Sequence, residues 1–175
     1  MIVAFTVITA GLVSAQTPIT LTSPDTSQTT TLTATVSEQA QVTVPAGVGF
    51  SVTNVSVNTN ASSAAAVTVD SIVLATNTAQ LKISLKANAA SFTPAGGGTT
   101  WGASDVSWNA ATFSNSGVGA TGALTSNLAF HEIATCAADS TSCSTTDLMF
   151  TLGAKPTVQR SGLHTLVVTW KFEAI

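Results

Sequence analysis

The sequence predicts an all-β protein, an antiparallel immunoglobulin-like β-sandwich of about eight to ten short strands. Three observations predict it. Apolar and hydroxyl side chains alternate at period two in segment after segment. Val, Ile and Thr, which favour a pleated backbone, dominate those segments. Turn residues recur between them, and no stretch carries apolar residues at a sustained helical spacing.

The first element is not a strand of that sandwich. Residues 1–15, "MIVAFTVITAGLVSA", are uncharged, and Thr6, Thr9, Gly11 and Ser14 interrupt a run shorter than a membrane span requires. Val13-Ser14-Ala15 before Gln16 has the small-x-small form of a signal-peptide cleavage site. The basic residue that normally opens such a peptide is absent, so its natural start is expected upstream of Met1. A buried N-terminal element or a pilin-like anchor helix are the competing readings. The expectation is an exported chain whose mature form has no membrane span.

Residues 16–29 are rich in Thr and Ser and contain Pro18 and Pro24. They read as a flexible segment with one alternating piece, Ile19-Thr20-Leu21-Thr22, that could add as a strand to a neighbour's sheet. The sandwich is expected over residues 30–175. "TLTATVS" puts Leu32, Ala34 and Val36 on one face, a half-buried strand. Val42 and Val44 continue the pattern to Pro45; Phe50 and Val52, then Val55 and Val57, resume it with a change of parity that suggests a bulge. "AAVTVDSIVLAT" and "QLKISLKAN" follow, the second with Leu81, Ile83 and Leu85 inward and Lys82, Ser84 and Lys86 outward. After "SFT", the stretch from Gly96 to Gly122 is irregular. "ALTSNLAFHEIATC" and "DLMFTLG" read as further strands. The last is the clearest: His164, Leu166, Val168, Trp170 and Phe172 share one face, and Thr165, Val167, Thr169 and Lys171 the other.

Charge bounds the function. Asp, Glu, Lys and Arg make up 7% of the 175 residues, and the net charge is −3; an ordinary domain has about 25%. Too few basic residues exist to neutralise phosphates, so nucleic acid is not an expected partner. The exterior must be solvated by hydroxyls and amides, or by sugars. "NVS" at Asn54 and "NAS" at Asn60 match the N-glycosylation pattern, and the threonines between Thr26 and Thr35 suit O-linked sugar.

Few residues carry chemistry. Cys136 and Cys143 enclose six residues, which in an exported chain suggests a disulfide over free thiols or half a zinc site. Loop entropy for so short a ring is about 2.5 kcal/mol, enough to pin one loop. His131 and His164 are the two histidines. A hydrolase would need one of them beside a Ser and an acid, yet no G-x-S-x-G elbow occurs. Asp105, Asp139 and Asp147 fall in expected loops, without the spacing of a calcium loop. The chain therefore reads as no enzyme, with no metal and no cofactor. Trp101 and Trp108 are candidate glycan contacts, since an exposed indole face can stack on a sugar ring; at that spacing on one strand they would face opposite sides.

"LMFTLGAKPTVQRSGLHTLVVTWKFEAI" resembles the C-terminal end of small secreted bacterial β-sandwich surface proteins of the WxL type and of pilin-like domains. Trp170-Lys171-Phe172 stands where that family has Trp-x-Leu, and Ala79-Gln80-Leu81 stands in place of its earlier motif. The resemblance implies the fold class and an extracellular, non-enzymatic role. The expected function is a secreted or cell-surface structural or adhesive protein, partnering with itself in a filament or outer layer, or with cell-surface components. A carbohydrate-binding module using Trp101 or Trp108, the other being a core residue, is the alternative.

Overall fold

A computed structural model describes residues 30–125 and 127–175. The expected leader, residues 1–15, and the expected exchange piece, Ile19, Thr20, Leu21 and Thr22, lie outside the described residues. The chain divides into two units, Met1–Thr35 and Val36–Ile175. In the first, residues 30–35 are exposed and join no sheet.

The second unit is all-β and antiparallel. Its strands are β1 (Gln39–Thr43), β2 (Thr59–Asn60), β3 (Ala65–Val73), β4 (Leu81–Ala87), β5 (Val106–Trp108), β6 (Val118–Gly119), β7 (Gly122–Ala123), β8 (His131–Thr135), β9 (Thr145–Leu148), β10 (Phe150–Leu152) and β11 (Val168–Ala174). A 3-10 turn, Ala103–Asp105, precedes β5. The strands order as β1-β3-β9, β2-β10-β5-β7 and β11-β4-β8-β6. An immunoglobulin-like order of strands stays an expectation beside these three sheets.

Met149 alone separates β9 from β10. There the Asn109 side chain accepts from the Met149 N–H at 2.7 Å and donates to the Asp147 carbonyl at 3.1 Å, so an amide replaces the interrupted ladder. Leu148, Phe150 and Leu152 still point inward at every second position. The core they enter is filled from facing strands by Val67 and Val69, Ile83 and Leu85, and Ile133.

Two glycines set the link between sheets. β6 pairs with β8, while β7 pairs with β5. A Cβ on Gly119 would lie 2.0 Å from the Ala111 carbonyl oxygen, and one on Gly122 would lie 2.5 Å from the Trp108 ring. Only hydrogen fits at either place, so the chain turns close enough for Trp108 Nε1 to donate to the Ala120 carbonyl at 3.1 Å.

The disulfide expected from spacing is formed between Cys136 and Cys143, both fully buried. Its reach exceeds one loop. The Cys136 N–H donates to Leu81 on β4 and the Cys143 N–H to Val69 on β3, each at 2.8 Å, so the bridge ties two different sheets.

Several expected strands are corrected. Residues 31–37 form no half-buried strand: Leu32 is 91% and Val36 72% exposed. Residues 48–58 also lack a ladder, because Asn54 turns the chain, accepting from the Ser56 N–H through its side chain at 2.9 Å and from Val57 through its carbonyl. "SFT" contributes isolated bridges, Ser91 to Gly102 and Thr93 to Thr165. Ser84 was expected outward in water but is buried, beside the register shift between β4 and β8.

Candidate functional site

The feature with no structural explanation of its own lies at β11. Its alternation makes it a strand, and pairs from Val168↔Ala87 to Ala174↔Leu81 hold it to β4. The ladder is prolonged by mutual hydrogen bonds between Gln80 and Ile175 and between Thr93 and Thr165. On its other side β11 has no strand among the described residues. Alternate N–H and C=O groups along that side are free to pair.

Behind the edge the described residues leave the sandwich unfilled. A cleft of about 970 Å³ opens between β11, the core and residues 44–55. Phe50, Val52, Leu85, Phe92, Trp101 and Trp170 are among its walls. Such a void forfeits the close packing that holds an interior together, because the wall atoms have no partners across it. The consequence shows along β11. Val168, Trp170 and Phe172, the inward row, are only half-buried, whereas the inward row of β4 is buried throughout.

Edges are normally blunted by charge. Lys171 and Glu173 do not serve that purpose here. Glu173 pairs with Lys171 and, at 3.3 Å, with Lys82 on the next strand; Lys86 and Lys171 stand over the Phe130 ring at 5.1 and 5.5 Å. These contacts hold the charges on the outer face of the sheet. The Lys171 ammonium, and secondarily Lys82, keeps the Glu173 carboxyl below its ordinary range.

The loop over the cleft is held by His164. Its Nε2 donates to the Arg160 carbonyl at 3.0 Å, its Nδ1 and the Thr100 hydroxyl share a hydrogen bond at 2.7 Å, and its ring meets Trp101 edge-on at 5.3 Å. His131 Nε2 meets the Thr125 hydroxyl at 2.8 Å. Each histidine is thus engaged with a threonine, and neither bond is to a Ser or a carboxylate. Arg160 is the one charged side chain among the described residues lining the cleft.

The glycan contacts expected at Trp101 and Trp108 are corrected. Trp101 is 5% and Trp108 4% exposed. Their indole N–H groups donate to the Gly153 and Ala120 carbonyls, which anchors both rings inside. Neither presents an exposed face to a sugar. The rule that separates residues by parity on one strand did not apply, since Trp101 precedes the 3-10 turn and Trp108 follows it.

Two of the three loop aspartates, Asp105 and Asp147, have structural partners. Asp105 accepts from the Gly102 N–H at 2.7 Å and pairs with Lys155 at 2.9 Å, which closes the 3-10 turn. Asp147 accepts from the Thr145 hydroxyl at 2.5 Å and from the Thr112 N–H at 3.0 and 3.2 Å. Those bonds, Thr145 first, hold its carboxyl below the ordinary range. No group of three His, Cys, Asp or Glu capable of holding a metal occurs among the described residues.

Asp147 gives a pH prediction. Its folded-state pKa is depressed, so its contribution to stability is complete above the unfolded carboxylate range, about pH 4, and fades as pH falls through the lower folded value. Melting temperature against pH should therefore fall below about pH 4 more steeply in the native chain than in Asp147→Asn. Parallel acid limbs would refute this role.

No family model, curated protein or solved structure matches this chain. The open edge and its cleft therefore have to be read from their own chemistry. Sequence reasoning identified β11 but missed the cleft. The available signal was residues 44–55, whose valines alternate around Pro45, Gly47 and Gly49, residues that break a ladder.

Proposed function

We propose that this chain is a non-enzymatic structural or adhesive surface protein, working outside the cell as the subunit of a filament or outer layer, and that its copies join by β-strand addition. The observation that carries the reading is the β11 edge, which no strand among the described residues covers, standing over an apolar cleft that the described residues do not fill. A strand laid along that edge pairs the free backbone groups and sends every second side chain into the void. A small-molecule site would need convergent polar groups to orient a ligand; here the walls are mainly apolar.

Three further features support an extracellular setting. The Cys136–Cys143 disulfide suits an oxidising compartment. The exterior is close to neutral and rich in hydroxyls, and Asn54 and Asn60 of the two glycosylation triplets are exposed. No helix among the described residues is long and apolar enough to cross a membrane.

Electron microscopy and light scattering of the purified chain test the reading together. Filaments, sheets or regular oligomers are expected. A chain that remains monomeric at high concentration and in the presence of cell-surface material would end it.

A further inference from the structure

The geometry points to residues 31–37 of a second copy as the strand that fills the cleft behind β11. This inference rests on the assembly reading above and names its donor, which the sequence alone had placed at Ile19-Thr20-Leu21-Thr22.

The donor argument begins with what is left over. Leu32, Ala34 and Val36 recur at every second position, the pattern of a strand with one face to bury. The folded chain buries none of them: residues 30–38 are exposed and join no sheet. Among the described residues, an apolar row has no cover and an apolar cleft has no filling. Their sizes agree. Three alternate side chains span roughly 14 Å along a strand, within the length over which β11, Val168–Ala174, presents Val168, Trp170 and Phe172. Beside that edge, Leu163 and Val167 are also largely exposed, and an added strand would cover them.

The chemistry of the segment fits as well. Residues 26–37 carry no charge, as a strand entering an apolar cleft must not. The one charged residue before Glu38 is Asp25, and the one charge on the described lining is Arg160, which makes no ion pair among the described residues. The signs are complementary.

The donor belongs to a neighbour for a reason of reach. Glu38 is anchored by accepting from the Ala75 N–H at 2.6 Å, at the start of β1. Val44, on the cleft wall, lies just past the other end of that strand. The root of the segment therefore stands about 20 Å from Val44 of its own cleft, a full strand length. From there a neighbour's edge is the natural acceptor, and each acceptor offers a donor in turn, which yields an open chain of subunits.

Two full-chain double variants test this: Leu32→Asp with Val36→Asp, and Ile19→Asp with Leu21→Asp. Circular dichroism should show both folded, since positions 32 and 36 are exposed. The first should form at least about tenfold less polymer by sedimentation than the native chain, because aspartates would be buried unpaired in the cleft. The second should assemble like the native chain. A synthetic peptide of residues 26–38, added in excess to the native chain, should cap the edge and shorten the polymers.

If the 32/36 variant assembles normally, the donor assignment is wrong. If the 19/21 variant alone is monomeric, the donor is the earlier piece, and assembly by strand addition stands without this inference. If the native chain itself never assembles, both fall.

Discussion

Gly119→Ala should cost this protein about 3 kcal/mol or more, a single added methyl group producing a loss of the size expected for a large core truncation. The added carbon would stand 2.0 Å from the Ala111 carbonyl oxygen and 2.9 Å from its nitrogen. Both are backbone atoms, so no rotamer change relieves the clash. β6 must move, and with it the pairing to β8 and the turn that carries the chain to β7. At 2–4 °C per kcal/mol for a chain of this size, melting should fall by about 6–12 °C. Gly47→Ala is the control. Nothing lies within 4 Å of a Cβ there, so the melting temperature should hold or rise slightly as the unfolded chain loses freedom. Equal effects at the two positions would show that the close approach at Gly119 is not real.

Assembled subunits should melt on the order of 10 °C above isolated ones, since burying two large apolar side chains contributes roughly 3–6 kcal/mol. The two are Leu32 and Val36, and the gain is increased by covering Trp170 and Val167, which the free edge leaves partly in water. The comparison is calorimetry of the polymer against the 32/36 aspartate variant. Because the gain comes from association, the melting temperature of the native chain should also rise with protein concentration. A melting temperature independent of both concentration and assembly state would mean that the cleft is not the contact.

The same void explains why sequence reading succeeded in some places and failed in others. The apolar rows of β4 and β11 were legible because period-two alternation reports which side chains leave water. The disulfide was legible from spacing and cysteine count, but the backbone bonds that tie its cysteines to β4 and β3 were not, since spacing says nothing about which sheets the flanking strands join. Residues 31–37 were read as an interior strand because the pattern is one. The structure corrects that reading, since residues 31–37 are exposed and join no sheet; alternation alone does not say that a row is covered. Trp101 and Trp108 failed for a related reason. Whether an indole faces solvent depends on the 3-10 turn between them and on the carbonyls of Gly153 and Ala120, which lie distant in sequence.

By itself the sequence determined an antiparallel all-β chain with a nearly uncharged, hydroxyl-rich composition and a cysteine pair set for a bridge. Those properties are local: each depends on which residues alternate and which charges are present. Only the tertiary structure decided that, among the described residues, β11 is an edge with an unfilled space behind it. An edge and a void are properties of what is not beside a strand. No alternation pattern encodes them, because a row of apolar side chains looks the same whether its cover comes from the same chain or from another.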